Sequence, residues 1–283
     1  MSNPVFDNSA IFGDPRKQRR TQGTGPTTTV QRGYPQAGTS GAPTIGAVRL
    51  EQMYGGPTAT TRDTGRLTYD DVIVKTGGLL ALLVVVAAAT WQLAPGLWIL
   101  GAIVGLGLGL VNAFKKSPSP ALITAYVVAQ GVFLGGISAF YAGAFGGGVV
   151  PQAVLATFSV FAVALFLFRS GRVRVTPKFT KFLLIAMGGY LAFSVLNFVL
   201  SFVLPSSGMF GPLRGGTLGV VVGLVAVGLA AASLIVDFDS IKRGVEQGVP
   251  AKFAWSAAFG LIVTLVWLYL ELLRLAAMFS GRN

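Results

Sequence analysis

From Val72 onward long apolar runs alternate with short polar interruptions, and each run is about 20 residues, the length at which a helix crosses a hydrocarbon core of about 30 Å. Seven such segments can be drawn, at roughly 72–92, 96–114, 119–143, 150–168, 179–203, 214–238 and 254–279, all within reach of a tilted spanning helix. The pattern predicts an all-α fold, an integral membrane seven-helix bundle over residues 71–283. Residues 1–70 differ in kind. They are rich in Gly, Pro, Thr and Gln ("RTQGTGPTTTVQRGYPQAGTSGAP") and carry no sustained apolar periodicity, so they are expected to form a disordered cytoplasmic tail. The charges Arg16, Lys17, Arg19 and Arg20 have no apolar core behind them, which argues against a secretory signal. "GAVRLEQMYGG" is expected to be linker, with a single transient helical turn or a docking motif as its alternative.

Charge tests the span count independently. Lys115 and Lys116 lie between spans two and three, Arg169, Arg172, Arg174, Lys178 and Lys181 between four and five, and Lys242, Arg243 and Lys252 between six and seven. The alternate connections hold only Arg214. By the positive-inside rule the basic loops are cytoplasmic, which puts the N-terminus inside and the C-terminal "SGRN" outside. Seven spans satisfy the rule and six break it. The formal net charge of +12 is divided between tail and loops, where topology and anionic lipid account for it, and no nucleic-acid partner is expected.

Composition narrows the chemistry. The chain is 53% hydrophobic and 11% charged, against about 25% charged in an ordinary soluble domain. It has no Cys and no His, which removes Cys/His zinc sites, His-ligated haem, thiol nucleophiles and the Ser-His-Asp triad. Neither an enzyme nor a cofactor is expected. "GLGLGL" lies inside an apolar span, without a preceding strand or a phosphate-reaching Lys, and is not a nucleotide loop. Instead Gly101, Gly105 and Gly109, and likewise Gly215, Gly219 and Gly223, recur every four residues and predict close helix–helix approach. Pro118, Pro120, Pro177 and Pro250 mark span starts, where a missing N–H costs little.

Of the ten acidic residues, most belong to the tail, its junction or the last basic loop. Asp237, Asp239 and Glu271 stand where spans run, and an ionisable group at membrane depth is a functional candidate. Asp237 and Asp239 are two residues apart on a helix and point in different directions, so they do not form one site. Asp239 is expected to pair with Lys242 at an exposed helix end. Glu271, roughly 25 Å along span seven from Ala254, is expected to pair with Arg274 near the outer interface, flanked by Trp267 and Tyr269 as belt aromatics. An outer ion-binding site at Glu271 is the alternative. Asn197 is expected to bond across helices.

The closing stretch "DFDSIKRGVEQGVPAKFAWSAAFGLIVTLVWLYLELLRL" resembles the last segment of the Bax inhibitor and YccA-like membrane proteins. Asp237 and Ile241 match the Asp at the inner end of span six and the apolar residue four positions on. Trp255, Ala257, Ala258, Gly260 and Leu261 match the start of a last helix that ends in "LLRL". The resemblance covers about residues 70–279. It implies a bacterial inner-membrane protein with span seven at the centre of the bundle. It further implies carboxylates on spans six and seven that share a proton and open or admit a cation such as Ca²⁺ when deprotonated. Asp237 matches the first carboxylate; the second position falls at Thr264, which cannot ionise, so this chain reads as a divergent bacterial branch. Asp237 is then expected to bond either to the Thr264 hydroxyl or to Lys115 or Lys116.

Two functions follow from that resemblance and from the residues. One is a pH-sensitive calcium or cation leak gated at Asp237, with Ca²⁺ or H⁺ as the ion. The other is a non-transporting regulator in the bilayer that binds a membrane protease or another integral protein, for which a long tail offers a handle. An intramembrane hydrolase would need paired catalytic Asp residues or a Ser/His arrangement, and neither is visible.

Overall fold

The first helix begins where the sequence offers a cap. Thr68 Oγ1 accepts the Asp71 N–H at 3.1 Å and donates to Asp71 Oδ2 at 2.8 Å, satisfying a donor that the first turn leaves orphaned. Helix α1 then runs Tyr69–Leu93. In this computed structural model the described residues are 65–171, 175–204 and 210–281. The rest of the expected tail, with "GAVRLEQMYGG", and the loop residues Arg172 and Arg174 lie outside them.

After a 3-10 turn at Pro95–Leu97 come α2 (Trp98–Phe114), α3 (Pro120–Phe145), α4 (Val149–Arg169), α5 (Pro177–Val203) and α6 (Gly216–Glu246). A second 3-10 turn, Ala251–Phe253, leads into α7 (Ala254–Ser280). Pro120 and Pro177 occupy first-turn positions, and Thr176 caps α5 by accepting the Phe179 N–H at 3.2 Å. Among the described residues these are seven helices long and apolar enough to cross a membrane.

Helix α7 is central. It packs against α1, α3, α4 and α6, and its buried residues, from Ala254 through Ile262 and Leu268 to Met278, face all of them. One apolar cluster joins Leu234 and Phe238 of α6 to Leu261 and Leu268; another joins Leu83 of α1 and Val127 of α3 to Ile262. Helix α2 packs on α3 and α5 on α6, both from outside. Their outward Leu, Val, Ile and Phe side chains are exposed, as suits surfaces facing lipid.

Close approach explains most of the glycine pattern. A Cβ on Gly101 would lie 2.6 Å from the Phe133 backbone nitrogen, one on Gly105 2.8 Å from Gln130 Nε2, and one on Gly109 3.2 Å from the Tyr126 ring. On α6, a Cβ on Gly219 would meet Met278 at 3.0 Å and one on Gly223 would meet Leu275 at 2.6 Å, whereas Gly215 meets nothing within 4 Å. The tightest contact between helices lies elsewhere: a Cβ on Gly135 would stand 2.2 Å from the Ala87 carbonyl oxygen.

Three expectations about helix ends and their charges need correction. Helix α6 continues to Glu246, eight residues beyond the expected 238, or about 12 Å of additional helix. Asp239 therefore has a partner one turn ahead, Arg243 at 2.9 Å, while Lys242 pairs with Glu246 at 3.8 Å; the expected Asp239–Lys242 pair is not made. The last residues of the expected tail are also built into the domain. Leu67 is buried in the cluster that contains Phe238, its N–H donates to the Val249 carbonyl at 2.7 Å, and the Ala251 N–H donates to the Gly65 carbonyl at 2.8 Å. This short strap fastens the start of α1 to the α6–α7 connection, the two segments satisfying each other's backbone groups outside the helices.

Candidate functional site

Asp237 and Thr264 meet across α6 and α7. Asp237 lies nine residues before the end of α6 and Thr264 ten residues after the start of α7, so both stand roughly 14–15 Å from the turn that joins these helices. Equal depth on two packed helices brings the side chains together. Thr264 Oγ1 donates to Asp237 Oδ2 at 2.8 Å and also lies 3.2 Å from the Gly260 carbonyl oxygen, the back-bond that a helical Thr commonly makes. Thr264 is buried and Asp237 half-buried. Among the described residues Asp237 forms no ion pair.

Of the contacts expected for Asp237, the bond to Thr264 is the one present. Lys115 and Lys116 are exposed at the end of α2, and α2 packs on α3, not beside α6, so the bundle order keeps them from the carboxylate. Asp239 faces elsewhere, toward Arg243 on its own helix. The Arg243 side chain of this pair is half exposed, a setting in which an ion pair contributes little.

A second polar cluster occupies the opposite end of α7. Glu271 Oε2 is 2.8 Å from Arg274 Nη1, the pairing that the three-residue spacing predicts. Its Oε1 lies 3.5 Å from Arg214 Nη1 and accepts a hydrogen bond from the Tyr190 hydroxyl of α5. Arg214 Nη2 donates to that same Tyr190 oxygen and to Ser194 Oγ at 3.0 Å, and the guanidinium lies over the Tyr190 ring at 5.1 Å. The side chains of Arg214 and Glu271 are 5% and 4% exposed. Asn197 positions the residues leading into Arg214: its Nδ2 donates to the Phe210 carbonyl at 3.1 Å and its Oδ1 accepts the Leu213 N–H at 2.9 Å. Gly211 sits between them with φ +82, where a Cβ would stand 2.6 Å from Asn197 Nδ2. Asn197 thus serves the chain leading to α6 rather than the body of a neighbouring helix.

Trp267 and Tyr269 are not belt residues. Trp267 packs on Tyr190 with ring centres 5.5 Å apart, and the Tyr269 hydroxyl is 2.7 Å from Ser138 Oγ of α3, because α7 is covered by other helices along its length. Sequence reasoning missed Arg214, Tyr190 and Ser194. The signal was present: Arg214 is the one basic residue in the alternate loops, and Glu271 lies at the same end of the bundle.

Between α5, α7 and the segment that leads into α6 lies a cavity of about 770 Å³, with Tyr141 of α3 on its wall. Tyr190, Ser194, Arg214, Trp267, Glu271 and Arg274 line its polar part. Among the described residues no group of three acidic side chains gathers in a way that would hold a metal ion.

Comparison with known proteins gives a family. A family model described as Bax inhibitor 1 like matches residues 3–281. The match extends through the N-terminal segment, beyond the 70–279 over which the resemblance was drawn. No curated protein matches the chain.

Proposed function

We propose, because this chain belongs to the Bax inhibitor 1 like family, that it leaks calcium or a similar cation across the bacterial inner membrane and is held shut by the contact between Asp237 and Thr264. The supporting observation is the 2.8 Å hydrogen bond from Thr264 Oγ1 to Asp237 Oδ2, which ties the central helix to its neighbour. A carboxylate at membrane depth with one hydroxyl donor is costly to keep charged, and it draws a proton or a cation. A proton on Asp237 removes the charge that would attract an ion. With the proton lost and Thr264 turned to its Gly260 back-bond, the carboxylate is free to face a passing cation. Ca²⁺ takes six to eight oxygens, and Asp237, Thr264 and the Gly260 carbonyl supply too few to store it. The ion keeps most of its water, which suits passage. The distribution of basic residues supports a cytoplasmic Asp237 end and N-terminus and an outer C-terminus. No chemical step is assigned to the protein.

A second reading, a regulator that engages a membrane protease or another integral protein, is favoured by the strap between residues 65–67 and 249–251. A partner pulling on the segment before α1 would act on the connection between α6 and α7.

The test is calcium flux into proteoliposomes over a pH series with the intact chain, Asp237→Asn and Thr264→Asp. The leak predicts flux that varies with pH and loses that dependence in Asp237→Asn. Thr264→Asp restores a second carboxylate and steepens the dependence. Absence of flux at every pH in all three proteins rejects the leak and leaves the regulator.

A further inference from the structure

The cavity at the Arg214 end of the bundle centres on Glu271, about two helical turns along α7 from the Asp237–Thr264 contact, and shares no residue with it. Its volume, about 770 Å³, falls within the range of small-molecule sites. Its polar part is unbalanced: Arg214 and Arg274 both face the single carboxylate of Glu271, which leaves one positive charge in excess. Arg214 is among the most deeply buried polar residues, and its Nε has no hydrogen-bond partner among the described residues. A buried donor on a charged group without a partner is expensive, and a bound anion would supply both the acceptor and the missing charge. Ser194 Oγ accepts from Arg214, so its own proton is available to donate.

Most of the remaining wall is apolar, with Asn197 and Ser201 as its polar members. Leu184, Leu191 and Phe198 line the cavity from α5, recur every seven residues and so share one face, and are exposed on the outer surface of the bundle. The cavity is therefore continuous with the surface that meets lipid tails. Among the described residues α5 packs on the bundle mainly through α6.

We propose that this cavity binds an anionic amphiphile, with a singly charged phosphate or carboxylate headgroup at Arg214, Arg274 and Ser194 and its acyl chain along Leu184, Leu191 and Phe198. The charge excess selects the sign of the ligand, and the lipid-facing stripe selects an amphiphile over a soluble anion. Phosphatidylglycerol, with one phosphodiester charge, is a suitable probe.

The experiment uses the full chain in phosphatidylcholine nanodiscs. A tenth of the lipid is replaced by phosphatidylglycerol brominated in its acyl chains, and quenching of tryptophan fluorescence is read, since Trp267 lines the cavity. Brominated phosphatidylcholine at the same fraction is the reference. The expected result is stronger quenching by the anionic lipid, with its apparent affinity falling about tenfold in Arg274→Gln and several-fold in Ser194→Ala. Lys181→Gln, which alters an exposed charge at the other end of α5, should leave it unchanged. Both variants leave the buried Arg214 in place, and Glu271 keeps Arg214 and Tyr190 as partners when Arg274 is replaced; the thermal unfolding midpoint of each variant checks the fold. Equal quenching by the two lipids, or an affinity unaffected by Arg274→Gln, overturns the site. Displacement of the brominated lipid by millimolar glycerol phosphate as effectively as by unlabelled phosphatidylglycerol overturns the amphiphile and assigns the cavity to a soluble anion.

Discussion

Thr264→Val removes the hydroxyl that meets Asp237 and leaves the shape of the residue almost unchanged. The lost bond is 2.8 Å long and has a carboxylate as acceptor, a class that contributes about 1.5–3 kcal/mol in water-soluble proteins. Inside membranes the measured range is smaller, about 0.6 kcal/mol on average and about 1.7 at most, because a released group finds other partners. Here the Thr264 hydroxyl has the Gly260 carbonyl as its alternative, so the membrane figures apply. If the closed state holds the bond and the open state does not, the open fraction rises about 3- to 16-fold, since each 1.4 kcal/mol is a factor of ten. The assay is calcium flux into proteoliposomes at fixed pH with Thr264→Ser as control. Ser keeps the hydroxyl and should stay within twofold of the intact protein. A double-mutant cycle with Asp237→Asn should show that the effect of Thr264→Val shrinks when the carboxylate is absent. Equal flux in the Val and Ser variants, or an effect of Thr264→Val that is unchanged in the Asp237→Asn background, would refute the assignment of this bond to the gate.

Gly135→Ala places a methyl 2.2 Å from the Ala87 carbonyl oxygen, on backbone that cannot turn aside, and should destabilise the bundle by about 1–3 kcal/mol. Gly143→Ala, with nothing within 4 Å, should not; thermal unfolding in detergent compares them. Glu271→Leu leaves Arg214 buried beside Arg274 without their carboxylate and should cost about 3–5 kcal/mol, most of it recovered when Arg214→Met is added, as read by the same unfolding midpoint. Thr68→Ala removes the cap of α1 and should cost about 1 kcal/mol, seen as faster amide exchange in the first turn of α1.

The helices were legible because spanning a membrane imposes a length and a composition at once, and the basic loops then checked the count. Their ends were less so. Helix α6 continues past its apolar stretch, since Asp239–Arg243 and Lys242–Glu246 support a helix that hydropathy alone would stop. The Asp237–Thr264 meeting could be anticipated because helices joined by a short connection bring residues equidistant from it to the same depth. The Arg214–Glu271 pair joins residues 57 positions apart through Tyr190 of a third helix, and no local pattern encodes that. What was readable was the oddity of each member: a lone cation where the loops are otherwise uncharged, and a carboxylate deep in the last span.

Thr264 and Glu271 are seven residues apart on α7, two turns or about 10 Å along one face, so the two polar contacts hang on one stretch of one helix. That helix is covered on most sides and cannot turn without breaking both. At the Glu271 end, Leu275 and Met278 of α7 are seated against Gly223 and Gly219 of α6, so the two helices are in close contact there as well. A small axial shift would therefore alter the distance from Glu271 to Arg214 and from Thr264 to Asp237 together, whichever end initiates it. Were α7 to take two such positions, the coupling would be reciprocal: an anion favouring one of them would shift the equilibrium at Asp237, and protonation at Asp237 would change the affinity for that anion by the same factor.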